Sequence, residues 1–263
     1  MKILITGAGS GIGKDVAIAL AKRNHHVIAG CHGQKQVNDL ADQNLDQLEP
    51  MLLDITNDDH RIHAAELEPD ILVNNAGVAE SGPMAEIPME YVRRNFETNV
   101  FATLELTQQC VKHMLKNKNG RIITVTSVAG KIALPYLGTY TMTKFALEAM
   151  GDNLRQELAH HNIHASLIEP GAIRTGFNEK MNASKYKWFS KKSLFWTDAK
   201  RIKKFENLLI SDQKSKESIV KAIVHACESK RPKTRYARPV RYALMIKLAM
   251  LAPDRLRDRI IAR

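Results

Sequence analysis

A glycine-rich turn directly after the first apolar segment constrains this chain more than any other feature. Lys2–Thr6 is a short β-type run, the turn Gly7–Gly13 reads Gly-Ala-Gly-Ser-Gly-Ile-Gly, and Lys14–Arg23 has a helical pattern. Side chains in such a turn would block the approach of an anionic group to its backbone N–H groups and to the helix N-terminus. Strand, glycine turn and helix in this order indicate a site for a pyrophosphate-containing nucleotide.

The rest of the chain alternates between strand and helix patterns. Strands are predicted at His26–Gly30, Met51–Leu53, Ile71–Val73, Arg121–Thr126, Ile163–Ile168 and, at an edge, Thr234–Ala237; helices at Gln34–Gln43, Asp58–Leu67, Met89–Lys116, Gly138–Leu158, Glu217–Glu228, Val240–Ala252 and Arg255–Ile261. This alternation predicts an α/β fold, a doubly wound parallel sheet of the Rossmann type in three layers, with ligands outside the carboxyl ends of the strands. The glycine turn, Asp54, Asn75, Ser127 and Pro170-Gly171 all lie at such ends.

The length of 263 residues and a hydrophobic fraction of 44% are sufficient for one domain, and no second domain is required. Within it, we predict a core over residues 1–177, a substrate lid over 178–212, and C-terminal helices with an edge strand over 213–263. The lid interleaves lysines with Tyr186, Trp188, Phe189, Phe195, Trp196 and Phe205. Such a segment fits either stacking on single-stranded nucleic acid or closure over a substrate, and its position directly after the last strand end favours closure.

The net charge of +11 is concentrated in the last third of the chain. Residues 180–216 hold 11 Lys and Arg against 3 Asp and Glu, and residues 230–263 hold 11 against 2. Basic segments of this kind favour peripheral contact with an anionic membrane surface, with a solvated basic edge as the alternative, and we expect no nucleic-acid partner.

The cysteines and histidines argue against a disulfide-stabilised protein and against a metal-binding protein. Three cysteines are an odd number at unrelated spacings, which argues against a disulfide framework and for a reducing compartment. No apolar run of signal-peptide length opens the sequence, so we expect a cytoplasmic protein. The two histidine groups, 60/63 and 160/161/164, lack cysteines and carboxylates at ligand spacing, so we predict no metal site.

A tyrosine and a lysine on one helix are the candidate acid–base pair. Tyr140 and Lys144 are four residues apart in the predicted helix Gly138–Leu158, so they share a face. An ammonium beside a phenol stabilises the phenolate and brings proton transfer into range. In isolation such a pair also fits a solvated helix face, and only the motifs around it favour chemistry.

Taken together, these motifs resemble the short-chain dehydrogenase/reductase family over about residues 1–177. The matching positions are Thr6–Gly13 with its glycines, Asp54 after the third strand, Asn74-Asn75-Ala76-Gly77, Asn99, Ser127, Tyr140-x-x-x-Lys144, and Pro170-Gly171 followed by Thr175. The resemblance implies hydride transfer between a nicotinamide and a carbonyl or alcohol. Tyr140 would be the general acid/base, Lys144 would lower its pKa and hold the nicotinamide ribose, Ser127 would bind the substrate oxygen, and Asn99 would anchor a proton relay.

The same resemblance implies the cofactor contacts. Gly7, Ser10, Gly11, Ile12 and Gly13 would line the phosphates, Asp54 and Ile55 the adenine, and Asn75, Ala76 and Gly77 the adjoining ribose. Tyr140, Lys144, Pro170, Gly171, Ile173 and Thr175 would also bind the cofactor, with Lys144 on the nicotinamide ribose. At the end of the second strand, Cys31 stands where NAD enzymes of the family usually carry Asp, and His32 stands where NADP enzymes often carry Arg. We therefore expect NADP, with NAD as the alternative.

The aromatic segment and the apolar C-terminal helices favour a lipophilic substrate. By resemblance this is a steroid-, retinoid- or lipid-like carbonyl or secondary alcohol, and a 3-oxoacyl or small-ketone reductase is an alternative. A protein of another class, a catalytically silent NAD(P)-binding regulator, is the rival hypothesis. The resemblance also implies a homodimer or homotetramer formed through the helix around Asn99 and the helix of Tyr140.

Overall fold

The structure, a computed structural model, describes residues 1–211 and 213–261. Its centre is a seven-stranded sheet in the order β3-β2-β1-β4-β5-β6-β7, with every neighbouring pair parallel. The strands are β1 Lys2–Ile5, β2 His26–Cys31, β3 Leu48–Leu52, β4 Ile71–Asn74, β5 Gly120–Val125, β6 Ile163–Pro170 and β7 Arg235–Arg238. The predicted α/β doubly wound fold is confirmed, and β7 is the edge strand that the sequence indicated.

The helices connect these strands and cover both faces of the sheet. They are α1 Gly11–Ala21, α2 Gln34–Ala41, α3 Asp58–Glu66, α4 Met89–Phe96, α5 Ala102–Asn117, α6 Gly138–Leu158, α7 Phe177–Lys185, α8 Ala199–Ser211, α9 Glu217–Glu228, α10 Val240–Leu251 and α11 Asp254–Ile261. Residues of the strands alternate between two apolar clusters because successive side chains point to opposite faces. Ile3 and Ile5 belong to the cluster with α1 and α9, and Leu4 belongs to the cluster with α5.

The helix predicted as continuous from Met89 to Lys116 is interrupted. A π-helical turn at Glu97–Phe101 separates α4 from α5. This turn shifts the helix face that is buried, so that Leu106, Cys110 and Met114 pack in the core while the next apolar residue, Leu115, is exposed. Because π-turns insert one residue, periodicity counted through the turn loses its phase.

The predicted lid contains ordered helical structure. The helices α7 and α8 lie in this segment with a short 3₁₀ turn, Trp196–Asp198, between them. An aromatic cluster connects the residues after α7 with the 3₁₀ turn before α8. The Phe189 ring lies 6.1 Å from the Trp188 ring and 5.5 Å from the Trp196 ring, centroid to centroid. Lys185 and Glu206, both buried, form an ion pair between α7 and α8. Asp212, the last residue of the predicted lid, lies outside the described residues.

The C-terminal segment packs one helix against the site and presents its other face outward. Tyr242 of α10 lies against Gly171, so closely that a Cβ on Gly171 would be 2.3 Å from the tyrosine ring. On the opposite side Val240, Leu244, Leu248 and Leu251 are exposed. Among the described residues no helix has the length and apolarity needed to cross a membrane. The expected peripheral contact stays a prediction, and residues 262–263 lie outside the described chain.

Candidate active site

A cavity of about 1040 Å³ opens at the carboxyl ends of the strands, where the sequence predicted ligands. All but two of the predicted site residues line this cavity. Those that line it are Gly7, Ser10, Gly11, Ile12, His32, Asp54, Ile55, Asn75, Ala76, Gly77, Ser127, Tyr140, Lys144, Pro170, Gly171, Ile173 and Thr175. The two exceptions are Gly13 and Asn99, which lie behind the lining. One space therefore brings together the glycine turn and the candidate acid–base pair.

The glycine turn has the backbone geometry that its composition predicts. Gly7 and Gly11 have φ values of +64° and +59°, in the left-handed region that side chains other than glycine rarely adopt. Gly11 begins α1, and the Ser10 hydroxyl makes no capping hydrogen bond to the helix. The first N–H groups of the helix therefore face the cavity without a side-chain cap, which fits a bound diphosphate.

Gly13 lies beneath the turn. A Cβ at this position would be 2.4 Å from the Gly7 carbonyl oxygen and 2.5 Å from Nδ2 of Asn75. The Asn75 amide in turn donates to the carbonyl oxygens of Thr6 and Gly7, at 2.9 and 3.1 Å. Gly13 therefore has a packing role, in which its bare backbone lets the turn close onto the end of β4, and its contact with the phosphates stays a prediction.

His32 and Asp54 face each other at the end of the cavity beside β2. His32 Nδ1 lies 3.6 Å from Asp54 Oδ2, and the His32 side chain is 79% exposed. Burial acts to raise the pKa of Asp54, but hydrogen bonds from Thr56 and the nearby imidazoles hold it below its ordinary value. Cys31 does not face the cavity: it is fully buried, and burial raises the pKa of its thiol to about 11 against the opposing charge of Lys14.

Ser127, Tyr140 and Lys144 come together at the opposite end. Ser127 follows β5 and accepts a hydrogen bond from the Ala129 N–H at 3.1 Å, which fixes its rotamer. Lys144 Nζ lies 5.5 Å from the centroid of the Tyr140 ring and donates to the Val125 carbonyl oxygen at 2.9 Å. The helix α6, which carries both residues, has the bounds that the sequence predicted.

Burial dominates the proton affinities of this pair. It raises the pKa of Tyr140 to about 12, and the hydrogen bond with Ser127 opposes the rise. It lowers the pKa of Lys144 to about 8, and the negative charge of Glu148 opposes the fall. At neutral pH the phenol is therefore protonated and the lysine is mostly an ammonium, so the site holds two proton donors beside the Ser127 hydroxyl.

Asn99 occupies the π-helical turn and is buried. Its side-chain oxygen accepts from the Val78 N–H at 2.8 Å, and its amide donates to the Val78 carbonyl oxygen at 2.8 Å and to Thr143 Oγ1 at 3.0 Å. The side chain thus fastens the segment after Gly77 to α6. A polar residue in mid-helix was the sequence signal for this local hydrogen-bonding task.

Two parts of the site were missing from the sequence prediction. The first is an apolar wall formed by Val128, Leu134, Leu137, Phe177 and Met181, with the Phe177 ring 5.7 Å from that of Tyr140. The second is the buried carboxylate of Glu148, one helical turn after Lys144. The spacing of four residues from Lys144 was the available signal for Glu148; nothing in the periodicity marked the wall. Within the described chain, no cluster of three or more His, Cys, Asp or Glu side chains is arranged to hold a metal ion.

Comparisons with known proteins agree with this geometry. The family model for short chain dehydrogenases matches residues 1–186. The NADPH-dependent 3-dehydrocapnine reductase of Ornithobacterium rhinotracheale is 30% identical over 98% of this chain and 94% of its own, and human retinol dehydrogenase 8 is 30% identical over 94% and 84%. A short-chain dehydrogenase from Streptomyces avermitilis superimposes with a TM-score of 0.81 at 25% identity, covering 98% of this chain and 94% of that one. The protein is thus an NAD(P)-dependent oxidoreductase that belongs to the short-chain dehydrogenase/reductase family.

Proposed function

We propose that the protein is an NADP-dependent reductase or dehydrogenase that interconverts a carbonyl and a secondary alcohol on a lipophilic substrate. The observation that carries this proposal is the shared cavity: Ser127, Tyr140 and Lys144 line the same space as the glycine turn. The nicotinamide, when bound, supplies or accepts the hydride. The chain's own task is then to bind the reacting oxygen and to move one proton to or from it.

In the direction of reduction, Tyr140 Oη donates a proton to the carbonyl oxygen as negative charge develops there. The raised pKa of Tyr140 keeps this proton in place at neutral pH. The Ser127 hydroxyl donates a second hydrogen bond to the same oxygen, and preorganised donors of this kind stabilise the alkoxide. Lys144 holds the ribose next to the nicotinamide, and its positive charge favours the phenolate that Tyr140 becomes after proton transfer.

The preference for NADP rests on the charges near the end of β2. His32 is exposed at the cavity and can donate to a 2′-phosphate, and no acidic side chain occupies position 31. Lys14 adds positive charge near Cys31. The 3-dehydrocapnine reductase, a relative that covers almost the whole chain, is named as NADPH-dependent.

The lipophilic substrate class is supported by the apolar wall beside Tyr140. Phe177 and Met181 belong to α7 and line the cavity, which supports the proposal that the segment beginning at residue 178 closes over the substrate. A retinol dehydrogenase among the relatives acts on an alcohol of this class according to its name. A 3-oxoacyl or small-ketone reductase is the alternative within the same chemistry.

We also propose a homodimer or homotetramer. Phe101, Met142 and Phe145 are 52%, 43% and 44% exposed on neighbouring segments, the π-turn and α6. Large apolar side chains clustered on one surface favour a protein partner over solvent. A second copy of the chain is the partner that the family resemblance implies.

The variant Tyr140→Phe tests the reaction. It keeps the ring that packs against Phe177 and removes only the hydroxyl, so we expect NADPH binding to persist while turnover of a ketone panel falls by at least about 100-fold. NADPH fluorescence measures the first quantity and NADPH oxidation the second. Full turnover in this variant would refute the role of Tyr140. Absence of turnover in the wild-type chain, despite NADPH binding, would favour the rival reading of a silent NAD(P)-binding regulator.

A further inference from the structure

Glu148 is a buried carboxylate directly behind the reaction centre. It lies one turn after Lys144 on α6 and is 4% exposed. Thr126, which immediately precedes Ser127, donates its hydroxyl to Glu148 Oε1 at 2.6 Å. The same carboxylate is the charge that opposes the loss of the Lys144 proton. Glu148 therefore contacts or influences the segments that carry two proposed proton donors.

A cluster of charges surrounds this carboxylate. Lys131 Nζ lies 2.7 Å from Glu148 Oε2, and the Arg235 guanidinium lies 3.3 Å from the same oxygen. Arg235 also reaches Glu169 at 3.2 Å and Asp152 at 2.6 Å. Glu169 immediately precedes Pro170-Gly171, which line the cavity. Through this cluster, Glu148 connects the ends of β5 and β6 with α6 and β7.

The packing around Glu148 leaves little space between it and the turn after Ser127. A Cβ on Gly130 would be 2.9 Å from Glu148 Cγ and 2.9 Å from the Lys144 carbonyl oxygen. Charges act strongly on one another in such a closely packed, water-poor place because screening is weak. The Glu148 charge therefore acts on Lys144 through protein rather than through bulk water.

We propose that Glu148 is a positioning residue whose negative charge keeps Lys144 protonated over the working pH range and whose contact with Thr126 fixes the strand end that carries Ser127. This inference rests on the proposed roles of Lys144 and Ser127. It assigns a task to a buried carboxylate that does not itself line the cavity but contacts Thr126, which does.

The titratable and charged groups that face Glu148 set the sign of its effect. They are Lys144 and Asp152 on α6, Lys131 after β5, Glu169 on β6 and Arg235 on β7. Burial and the Glu148 charge raise the pKa of Glu169 to about 7, against Lys131 and Arg235. Near neutral pH the cluster is therefore close to gaining a third negative charge, beside those of Glu148 and Asp152.

The decisive variant is Glu148→Gln, which keeps the side-chain volume and an acceptor for Thr126 but removes the charge. Without that charge the pKa of Lys144 falls further, so the ammonium is lost at lower pH. We expect the alkaline decline in NADPH affinity, followed by fluorescence from about pH 6 to about pH 10, to move down by about one pH unit. With 2-decanone as probe we expect kcat at about pH 8 to fall about fivefold, as the ammonium fraction does, and KM to change by less than about threefold. If Glu148 had only a structural role, the alkaline limb, which is the pH range over which NADPH affinity declines, would not move.

A second variant, Lys131→Met, is expected to shift the limb in the opposite direction. It keeps the proposal testable even if Glu148→Gln does not fold. Lys131→Met takes away a cation that neutralises Glu148, so the alkaline limb should move to higher pH. Glu157→Gln, an exposed glutamate on the same helix, is the matched control and should leave the limb in place.

Three outcomes separate the ideas. Opposite shifts in the two variants support the proposal. An unmoved limb in Glu148→Gln, or shifts of both variants in the same direction, would overturn it while the proposed function stands. Failure of the wild-type chain to bind NADPH would overturn the proposed function, and this inference with it.

Discussion

Tyr140 is a weaker acid in this protein than a free phenol is in water. Burial raises its pKa to about 12, and Ser127 only partly offsets this. The resemblance implied that Lys144 would lower the pKa of Tyr140, yet burial dominates that pKa, and the ammonium donates to the Val125 carbonyl oxygen with its Nζ 5.5 Å from the centroid of the Tyr140 ring. A protonated phenol suits the proton donation to a carbonyl oxygen that we propose for Tyr140.

At the same scale, the proposed preference for NADP over NAD depends on His32. In His32→Ala a donor to the 2′-phosphate disappears, so we expect NADPH affinity to fall about tenfold while NADH affinity changes little. Fluorescence titration with each cofactor measures this ratio. His63→Ala, an exposed histidine on α3 outside the cavity, serves as control. An unchanged ratio in His32→Ala would remove this residue from the phosphate site.

Gly13 and Gly33 form a matched pair of glycines for a test of the turn. A Cβ at Gly13 would overlap the Gly7 carbonyl oxygen and the Asn75 amide, whereas a Cβ at Gly33 would meet nothing within 4 Å. We expect Gly13→Ala to lower the free energy of unfolding by about 1–3 kcal/mol and to weaken NADPH binding at least about tenfold. Gly33→Ala should be neutral in both. Thermal unfolding and cofactor titration check the pair; equal behaviour of the two variants would contradict the packing role of Gly13.

At the scale of elements, local signals predicted the regular parts of the chain well. The bounds of α6 and α9 agree with the sequence prediction because apolar spacing and straight-chain helix formers run through both. Strand β3 was predicted at Met51–Leu53 and lies at Leu48–Leu52, since Glu49 and Pro50 are poor strand formers that an edge strand tolerates. The glycine turn, Asp54, Asn75, Ser127 and Pro170-Gly171 lie at strand ends, where a parallel sheet brings them together.

Other features depend on contacts that no local pattern records. The π-turn around Asn99 reflects hydrogen bonds to Val78 and Thr143, which are distant in sequence. The two helices of the proposed lid, α7 and α8, are connected by aromatic contacts and by the buried ion pair Lys185–Glu206. The Glu148 cluster draws its partners from several elements, so only the assembled fold reveals it.

The buried pair Lys185–Glu206 provides a test of the lid. In Lys185→Met the Glu206 carboxylate remains buried without its cation, which should cost about 3 kcal/mol or more. We expect a lower melting temperature, faster hydrogen exchange in residues 177–207, and a higher KM for a lipophilic ketone. The double variant with Glu206→Leu removes the stranded charge and should recover most of the stability. If the single variant left exchange and KM unchanged, the pair would not secure a functional lid.

At the scale of the whole molecule, two groups of exposed apolar side chains differ in their surroundings. Val240, Leu244, Leu248 and Leu251 form one stripe on α10, in a segment rich in arginine and lysine. Phe101, Met142 and Phe145 form the other, beside the helices that carry Asn99 and Tyr140. The second group is the one proposed to join copies of the chain. The proposed interface would therefore use the same helix, α6, that carries Tyr140 and Lys144.

Phe145 is adjacent in sequence to Lys144 but points to the outer side of α6, where it is 44% exposed. In Phe145→Glu a charge replaces the apolar ring, so two facing copies would repel each other and we expect monomers in analytical ultracentrifugation at micromolar concentration. Ile62→Glu, which places the same charge at an exposed apolar position on α3, should keep the assembly. NADPH binding by the Phe145→Glu monomer would show that each copy carries a complete cofactor site. If Phe145→Glu and the wild-type chain both sediment as oligomers, the interface lies elsewhere. If both sediment as monomers, the proposed assembly is refuted.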